Sequence, residues 1–196
     1  MSKDIENEER LMLSKEEYSL LMDEYSSKDN AKMIEQINYY FDDENLSLMH
    51  SHKVLRVRLI NQNIYELTMK IKGTSSTGDT ELNTYIKSLD DFKLEKGIDP
   101  IIDEIILEIE KSTSKDIKSI TSLETKRLEV KYDNHLLVID KNKYLDVIDY
   151  DLEIEAPTKK IAKDIILEYA SKYSLTYKKG YISKSRRAFN YLMNKN

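Results

Sequence analysis

Charged residues recur at every second position in several stretches of this chain. They are the carboxylates Glu6, Glu8, Glu153 and Glu155 and the cations Arg56, Arg58, Lys70, Lys72 and Arg127. In a β-strand, residues two apart lie on the same face, so each pair presents its charges to one side. The residues between them are mostly apolar. Each stretch therefore predicts a strand with one apolar face and one ionic face.

These residue types suit one kind of chemistry if the ionic faces converge on a common interior. Crowded carboxylates repel one another unless a divalent cation neutralises them, and Mg²⁺ and Mn²⁺ prefer such oxygen ligands. The forked guanidinium groups of Arg56 and Arg58 match phosphate oxygens, and the lysines add positive charge. The pattern predicts a cavity that binds a polyanion together with a divalent metal.

Two simpler interpretations compete with this one. A single pair of like charges on a strand is more often a solvated sheet face than a site. The charges could also form cross-strand salt bridges on an open sheet, each contributing only ~0.2 to 1 kcal/mol. Such bridges would make the signs alternate between neighbouring strands. The sequence instead has a basic hairpin between acidic ends, which favours the cavity.

The composition narrows the class of protein. The 196 residues carry a net charge of -5, which argues against binding to extended nucleic acid, since that usually needs a basic face. With no cysteine and three histidines, a thiolate or imidazole metal site is not expected. No stretch is apolar enough for a membrane span or a secretory signal, so we expect a cytoplasmic protein. The length predicts a single domain over residues 1–196.

Periodicity and turn signals predict the order of elements. Ser14 and Glu17 form a capping-box pattern, which places a helix over 15–25. The predicted strands are 4–12, 33–41, 53–60, 64–72, 119–132, 135–141 and 144–156, with residues 141–143 as the turn between the last two. Further helices are predicted after Asp99-Pro100, around 161–169, and from Lys184 onwards.

These elements predict an α+β fold in which the two-faced strands close into an antiparallel β-barrel of about eight strands. Closure would place the apolar faces outward beneath the helices and leave a polar tunnel inside. At the C-terminal end, the basic segment Lys184, Arg186 and Arg187 either closes a mouth of this tunnel or is solvated.

The charged motifs, taken in order, resemble the CYTH superfamily, the triphosphate tunnel metalloenzymes. The motifs are Glu6-x-Glu8-x-Arg10, Tyr39-Tyr40-Phe41-Asp42, Leu55-Arg56-Val57-Arg58, Leu67-Thr68-Met69-Lys70, Arg127 and Asp151-Leu152-Glu153-Ile154-Glu155. The resemblance covers about residues 4 to 190 and is closest to the bacterial CYTH branch of low-GC Gram-positive organisms. It implies an eight-stranded tunnel and metal-dependent hydrolysis of tripolyphosphate or nucleoside triphosphates.

By this resemblance, Glu6, Glu8, Glu153 and Glu155 would be catalytic carboxylates that hold Mg²⁺ or Mn²⁺. Arg56, Arg58, Lys70 and Arg127 would bind the phosphates, and Lys72 extends that row of cations. Arg10 is also predicted to be a catalytic residue, although the family signature Glu-x-Glu-x-Lys has lysine there. Arginine keeps the charge without the compact ammonium, so activity could be altered.

Three functions remain open at this point. A triphosphatase would attack a terminal phosphorus with water, whereas an adenylate cyclase on the same fold would use the ribose 3′-hydroxyl. A polyphosphate- or nucleotide-binding module would retain the tunnel without efficient chemistry. The expected partner in each case is tripolyphosphate or a nucleoside triphosphate, and the protein would be a monomer or a homodimer.

Overall fold

The computed structural model describes residues 2–73, 78–89, 94–176 and 182–195, and side chains from residue 7 to residue 194 within those ranges. The described strands are β1 Ser2–Glu6, β2 Glu8–Leu13, β3 Ala31–Asp42, β4 Lys53–Ile60, β5 Ile64–Ile71, β6 Asp79–Ile86, β7 Lys118–Lys131, β8 Leu136–Tyr144 and β9 Val147–Glu155. The described helices are α1 Lys15–Tyr25, α2 Ser47–His50, α3 Pro100–Glu110, α4 Lys159–Lys172 and α5 Lys184–Lys195.

The strands form one antiparallel sheet whose two end strands are consecutive in the sequence. The order is β1-β6-β5-β4-β3-β7-β8-β9-β2, so the end strands are β1 and β2. These two are separated only by Asn7, whose carbonyl accepts a hydrogen bond from the Ala156 amide at 3.0 Å. Counted as one interrupted strand, β1 and β2 bring the total to about eight. The predicted α+β fold with an antiparallel sheet of about eight strands is confirmed, and among the described residues Asn7, rather than a ladder, joins the end strands β1 and β2.

The apolar face of the sheet lies outward beneath the helices, as predicted. Helix α3 covers the β4–β6 region and packs on a cluster that includes Leu55, Leu67 and Leu82. Helices α1 and α4 cover the other flank, where Leu128 and Leu152 are buried. Each such leucine contributes about 1.5 to 3 kcal/mol on burial. The hydrophobic effect thus holds the sheet from outside and leaves its inner face to polar side chains.

Side-chain caps fix where the covering helices begin. At α1, the Glu17 amide donates to Ser14 Oγ at 3.1 Å and the Ser14 amide donates to Glu17 Oε2 at 2.6 Å, which is the predicted capping box. At α3, Asp99 accepts from the Ile101 amide at 2.7 Å and from the Thr84 hydroxyl at 2.6 Å. The second bond ties the start of α3 to β6.

Two sequence expectations about the strands were wrong. Strand β6 was missed because Asp79–Ile86 is largely polar; it is a strand because β5 and β1 pair with it on both sides. The turn expected at 141–143 lies instead after Tyr144, where Leu145 has a φ of 50°. Asn142 stays in β8, where it is buried and bonded to Thr125, Asp149 and Asp151. None of the described helices is both long and apolar enough to cross a membrane.

Candidate functional site

The inner face of the sheet encloses a cavity of about 850 Å³. Nine of the predicted site residues line it: Glu8, Arg10, Arg56, Arg58, Lys70, Lys72, Arg127, Glu153 and Glu155. The tenth, Glu6, ends β1 opposite Asp79, and its side chain lies outside the described residues. The strands therefore bring together charges from distant parts of the chain. We call the β4–β5 cations Arg56, Arg58, Lys70 and Lys72 the basic wall.

The acidic wall consists of Glu8 on β2, Asp140 on β8, and Glu153 and Glu155 on β9. Glu153 is 1% exposed and lies at its centre. Its carboxylate accepts from Arg127 Nη2 at 3.1 Å, is bonded to the Lys184 ammonium, and lies 3.4 Å from Arg10 Nη1. Burial alone would raise the pKa of Glu153, but the charges of Arg10, Lys184 and Arg127 hold it well below its usual range. Glu153 is therefore a permanent anion at neutral pH.

Glu8 links the two walls. Its Oε1 atom is bonded to Arg10 and accepts from Lys70 Nζ at 3.3 Å. Burial opposes ionisation, yet the Coulomb attraction of Arg10 and Lys70 outweighs it and lowers the pKa of Glu8 to about 2. The Arg10 guanidinium contacts both Glu8 and Glu153, so these two carboxylates lie within the span of one side chain.

Asp140 completes the acidic wall, and it was not among the predicted site residues. It is fully buried and binds Arg127 through two bonds, from Nε at 3.0 Å and from Nη2 at 2.8 Å. It is also bonded to the Lys184 ammonium. One sequence signal could have identified Asp140. It follows the apolar residues Leu-Leu-Val-Ile of β8, and a charged residue in such a buried strand usually needs a partner.

The basic wall carries carboxylates of its own. Arg56 lies 3.6 Å from Glu81, and Arg58 lies 3.6 Å from Glu66. Lys70 lies 3.8 Å from Glu81 as well. The signs are thus less segregated than the sequence suggested, since cross-strand pairs accompany the cavity. Burial, together with the neighbouring charges of Arg56 and Arg127, lowers the pKa of Arg58 to about 10, and its charge persists at neutral pH.

Helix α5 brings the C-terminal basic segment to the cavity, and its three cations lie in different environments. Lys184 reaches the acidic wall, with 12% of its side chain exposed. Arg186 is exposed and lines the cavity. Arg187 donates to Asp149 at 2.8 and 3.0 Å and to Asp151 at 2.8 Å, which anchors the helix to β9. Lys184 and Arg187 are therefore both engaged by carboxylates rather than solvated.

The carboxylate oxygens of the acidic wall are the kind of ligand that a hard divalent metal prefers. Glu8, Glu153 and Glu155 all face the same cavity and offer only carboxylate oxygens. Within the ranges that the structure describes, no three acidic or histidine side chains are gathered closely enough to hold an ion. The resident cations Arg10 and Lys184 instead pair with these oxygens. A metal at this wall would have to take over bonds that those two side chains now make.

Comparison with known proteins gives one family. The CYTH domain model matches residues 4–189. YjbK of Bacillus subtilis (strain 168), whose name describes a candidate triphosphatase, is 32% identical over 162 residues, which cover 80% of each chain.

Two solved structures have the same architecture. The crystal structure of a candidate adenylate cyclase from Bacillus halodurans is 25% identical, with a TM-score of 0.80 over 96% of this chain and 100% of that one. A candidate adenylyl cyclase from Hippeastrum, described as having a dominant triphosphatase activity, is 19% identical, with a TM-score of 0.77 over 95% and 96% of the two chains. The second likeness supports the fold alone.

Proposed function

This chain belongs to the CYTH family, and we propose that it is a metal-dependent hydrolase of inorganic tripolyphosphate or nucleoside triphosphates. The observation that carries this proposal is the pair of walls around one cavity of about 850 Å³. One wall presents cations on adjacent strands, and the other presents buried carboxylates. A phosphate chain needs the first, and its metal needs the second.

The basic wall would bind the phosphate chain. Arg56 and Arg58 stand two residues apart on β4, and Lys70 lies beside them on β5. Their carboxylate partners among the described side chains include groups 3.3 to 3.8 Å away, at the long end for ion pairs. Phosphate oxygens can replace such partners because they offer several negative charges and accept bidentate bonds from a guanidinium. Lys72 would extend the row, and Arg127 would bind from the side of the acidic wall.

Glu6, Glu8, Glu153 and Glu155 would hold Mg²⁺ or Mn²⁺. When bound, such an ion neutralises phosphate charge and makes a coordinated water easier to deprotonate. The chain itself would orient the substrate: Arg58 is fixed by a 2.9 Å bond from its Nε to Asn38 Oδ1, and Arg127 is fixed by Asp140. Arg10 would help to position Glu8 and Glu153, which it contacts together.

We also propose that residues 1–196 act as one domain in the cytoplasm, as a monomer or homodimer. The partner would be the triphosphate itself rather than extended nucleic acid or a membrane. The net charge of -5 supports this, because binding to extended nucleic acid usually needs a basic face.

The test is phosphate release from tripolyphosphate and from ATP, with Mg²⁺, with Mn²⁺ and with EDTA. We expect phosphate release to require metal and to be abolished in Glu153→Gln. Circular dichroism should show that this variant keeps its fold. The matched control is Glu35→Gln, which removes an exposed carboxylate from the outer surface. Metal-dependent turnover undiminished in Glu153→Gln would remove that residue from the mechanism.

Adenylate cyclisation is the second candidate, favoured by the name of the Bacillus halodurans structure. Cyclic AMP should therefore be assayed in the same ATP reactions. Cyclic AMP as the main product would replace the hydrolase proposal. Tight tripolyphosphate binding with neither product would indicate a binding module.

A further inference from the structure

Lys184 places an ammonium group among the carboxylates of the acidic wall. It is bonded to Asp140 and Glu153, and its Nζ lies 3.9 Å from Asp151 Oδ2. The side chains of Asp140 and Asp151 are fully buried, and that of Glu153 is 2% exposed. Of the carboxylates proposed to hold the metal, Lys184 contacts Glu153, so its ammonium occupies an oxygen that a hard metal ion would need.

Helix α5 does not depend on Lys184 for its attachment. Arg187, one turn further along, makes three bonds to Asp149 and Asp151. Ala188 and Phe189 are buried against Tyr40 and Leu123. The helix therefore has its own polar and apolar anchors, and the Lys184 side chain can leave the acidic wall while α5 stays docked.

The other cations at this wall are held more firmly. The planar guanidinium of Arg127 makes two bonds to Asp140 and a third to Glu153. Arg10 bridges Glu8 and Glu153 from within the sheet. Lys184 differs because it is the first residue of a helix at the edge of the cavity and has a flexible four-carbon stem. Of these three cations, it can withdraw with the least disturbance.

We propose that Lys184 is the resident counter-ion that a divalent metal replaces at the acidic wall. The inference rests on the proposed metal-dependent function and deepens it. Without metal, the ammonium stabilises the crowded carboxylates; when metal binds, the ammonium is displaced towards the mouth of the cavity. Because the ammonium and the metal compete for the Glu153 carboxylate, Lys184 lowers the metal affinity of the wall.

The first test is a calorimetric titration of the full chain with Mn²⁺ in the absence of substrate. Lys184→Gln should bind Mn²⁺ about tenfold more tightly than the parent protein, equivalent to about 1.4 kcal/mol. Arg186→Gln is the matched control, because it removes one positive charge from the same helix and the same cavity. It should change the affinity less than about twofold, as expected for an exposed charge. Unchanged or weaker binding in Lys184→Gln would overturn the proposal.

The second test follows the ammonium itself in the parent protein. Lysine methylation read out by mass spectrometry should be slow at Lys184 without metal and should rise when Mg²⁺ is added. Lys53 is the internal control, because it is buried and its ammonium donates to the Glu108 carbonyl at 2.8 Å rather than to the acidic wall. Equal labelling of Lys184 with and without saturating metal would contradict the exchange.

These outcomes separate the exchange from the proposed function. Tighter Mn²⁺ binding in Lys184→Gln, without phosphate release by any variant, would support the exchange and reject the triphosphatase. Metal-dependent phosphate release with equal Mn²⁺ affinities would do the reverse. A chain that binds no metal in either form would overturn both.

Discussion

Among the described ion pairs, those of the arginines on the basic wall are long, whereas those between Arg127 and Asp140 on the acidic wall are short. Arg56 and Arg58 lie 3.6 Å from their carboxylates. Arg127, by contrast, makes bonds of 3.0 and 2.8 Å to Asp140. Strands of one sheet form both walls, so the difference in ion-pair length lies in how the side chains are paired.

This contrast indicates a division of labour. Long pairs between partly exposed groups are weak, so their cations can be transferred to a ligand at small cost. Short pairs in a buried network are costly to break, so they fix geometry. We infer that the basic wall is prepared to exchange partners with a phosphate chain. On the acidic wall, Arg127 and Asp140 form the rigid part.

The largest effect should follow from breaking the acidic network. Asp140→Asn leaves the buried Arg127 guanidinium with one carboxylate fewer, and we expect the free energy of unfolding to fall by about 3 kcal/mol. Urea denaturation without divalent metal measures it. The matched change on the basic wall is Glu66→Gln, which should cost less than about 1 kcal/mol. Equal losses in the two variants would remove the distinction between the walls.

Acid should act on the cavity through its buried carboxylates; Glu8 links the two walls, and Glu153 also has a lowered pKa. Arg10 and Lys70 lower the pKa of Glu8 from an ordinary 4.5 to about 2 in the folded protein. A lowered folded-state pKa contributes stability that is fully present above the unfolded value and is lost as the pH falls through the folded value. This contribution should therefore disappear between about pH 4.5 and pH 2.

The experiment compares the parent protein with Glu8→Gln over that pH range. The variant lacks the titrating group, so its stability should fall less steeply between pH 5 and pH 2. The order of magnitude is about 2 kcal/mol over the range, by the linkage of pKa shifts to stability. Parallel stability curves for the two proteins would show that Glu8 is not held as an anion by its neighbours.

Substrate binding should depend on the basic wall. Arg58→Ala removes a guanidinium that Asn38 orients towards the cavity, and charge-assisted bonds of this kind contribute about 1.5 to 3 kcal/mol. We expect the ratio kcat/KM for tripolyphosphate to fall about tenfold to a hundredfold. Lys126→Ala, which removes an exposed cation from the outer face, serves as the control. Unchanged kinetics in Arg58→Ala would exclude it from the phosphate site.

The sequence predicted the parts of this molecule that follow from local periodicity. Alternation and turn chemistry predicted the β4–β5 hairpin, the capping box at Ser14, the helix that begins at Pro100 and the inward row of Arg56 and Arg58. Strand β6 did not, because its polar sequence becomes a strand only through pairing on both sides.

Pairing between distant segments explains the site residues that sequence reasoning missed. Asp140 looks like one charge in an apolar strand until β7 brings Arg127 opposite it. Lys184 looks like a solvated helix residue until α5 docks through Arg187. Glu81 belongs to β6, so missing the strand also meant missing the residue. In each case the partner is more than ten residues away in the sequence, so no local sequence pattern could have predicted the contact.

Glu81 offers the finest test of how loosely the basic wall is held. It lies 3.6 Å from Arg56 and 3.8 Å from Lys70, and these charges lower its pKa against the effect of burial. Glu81→Gln would keep the shape of the side chain but remove a charge that competes with phosphate. Tripolyphosphate affinity, measured by calorimetry without metal, should rise by a few-fold, or about 0.5 to 1 kcal/mol. Glu124→Gln, an exposed carboxylate of β7, should leave it unchanged. Weaker binding in Glu81→Gln would mean that Glu81 instead positions Arg56 and Lys70, and that the basic wall is as rigid as the acidic one.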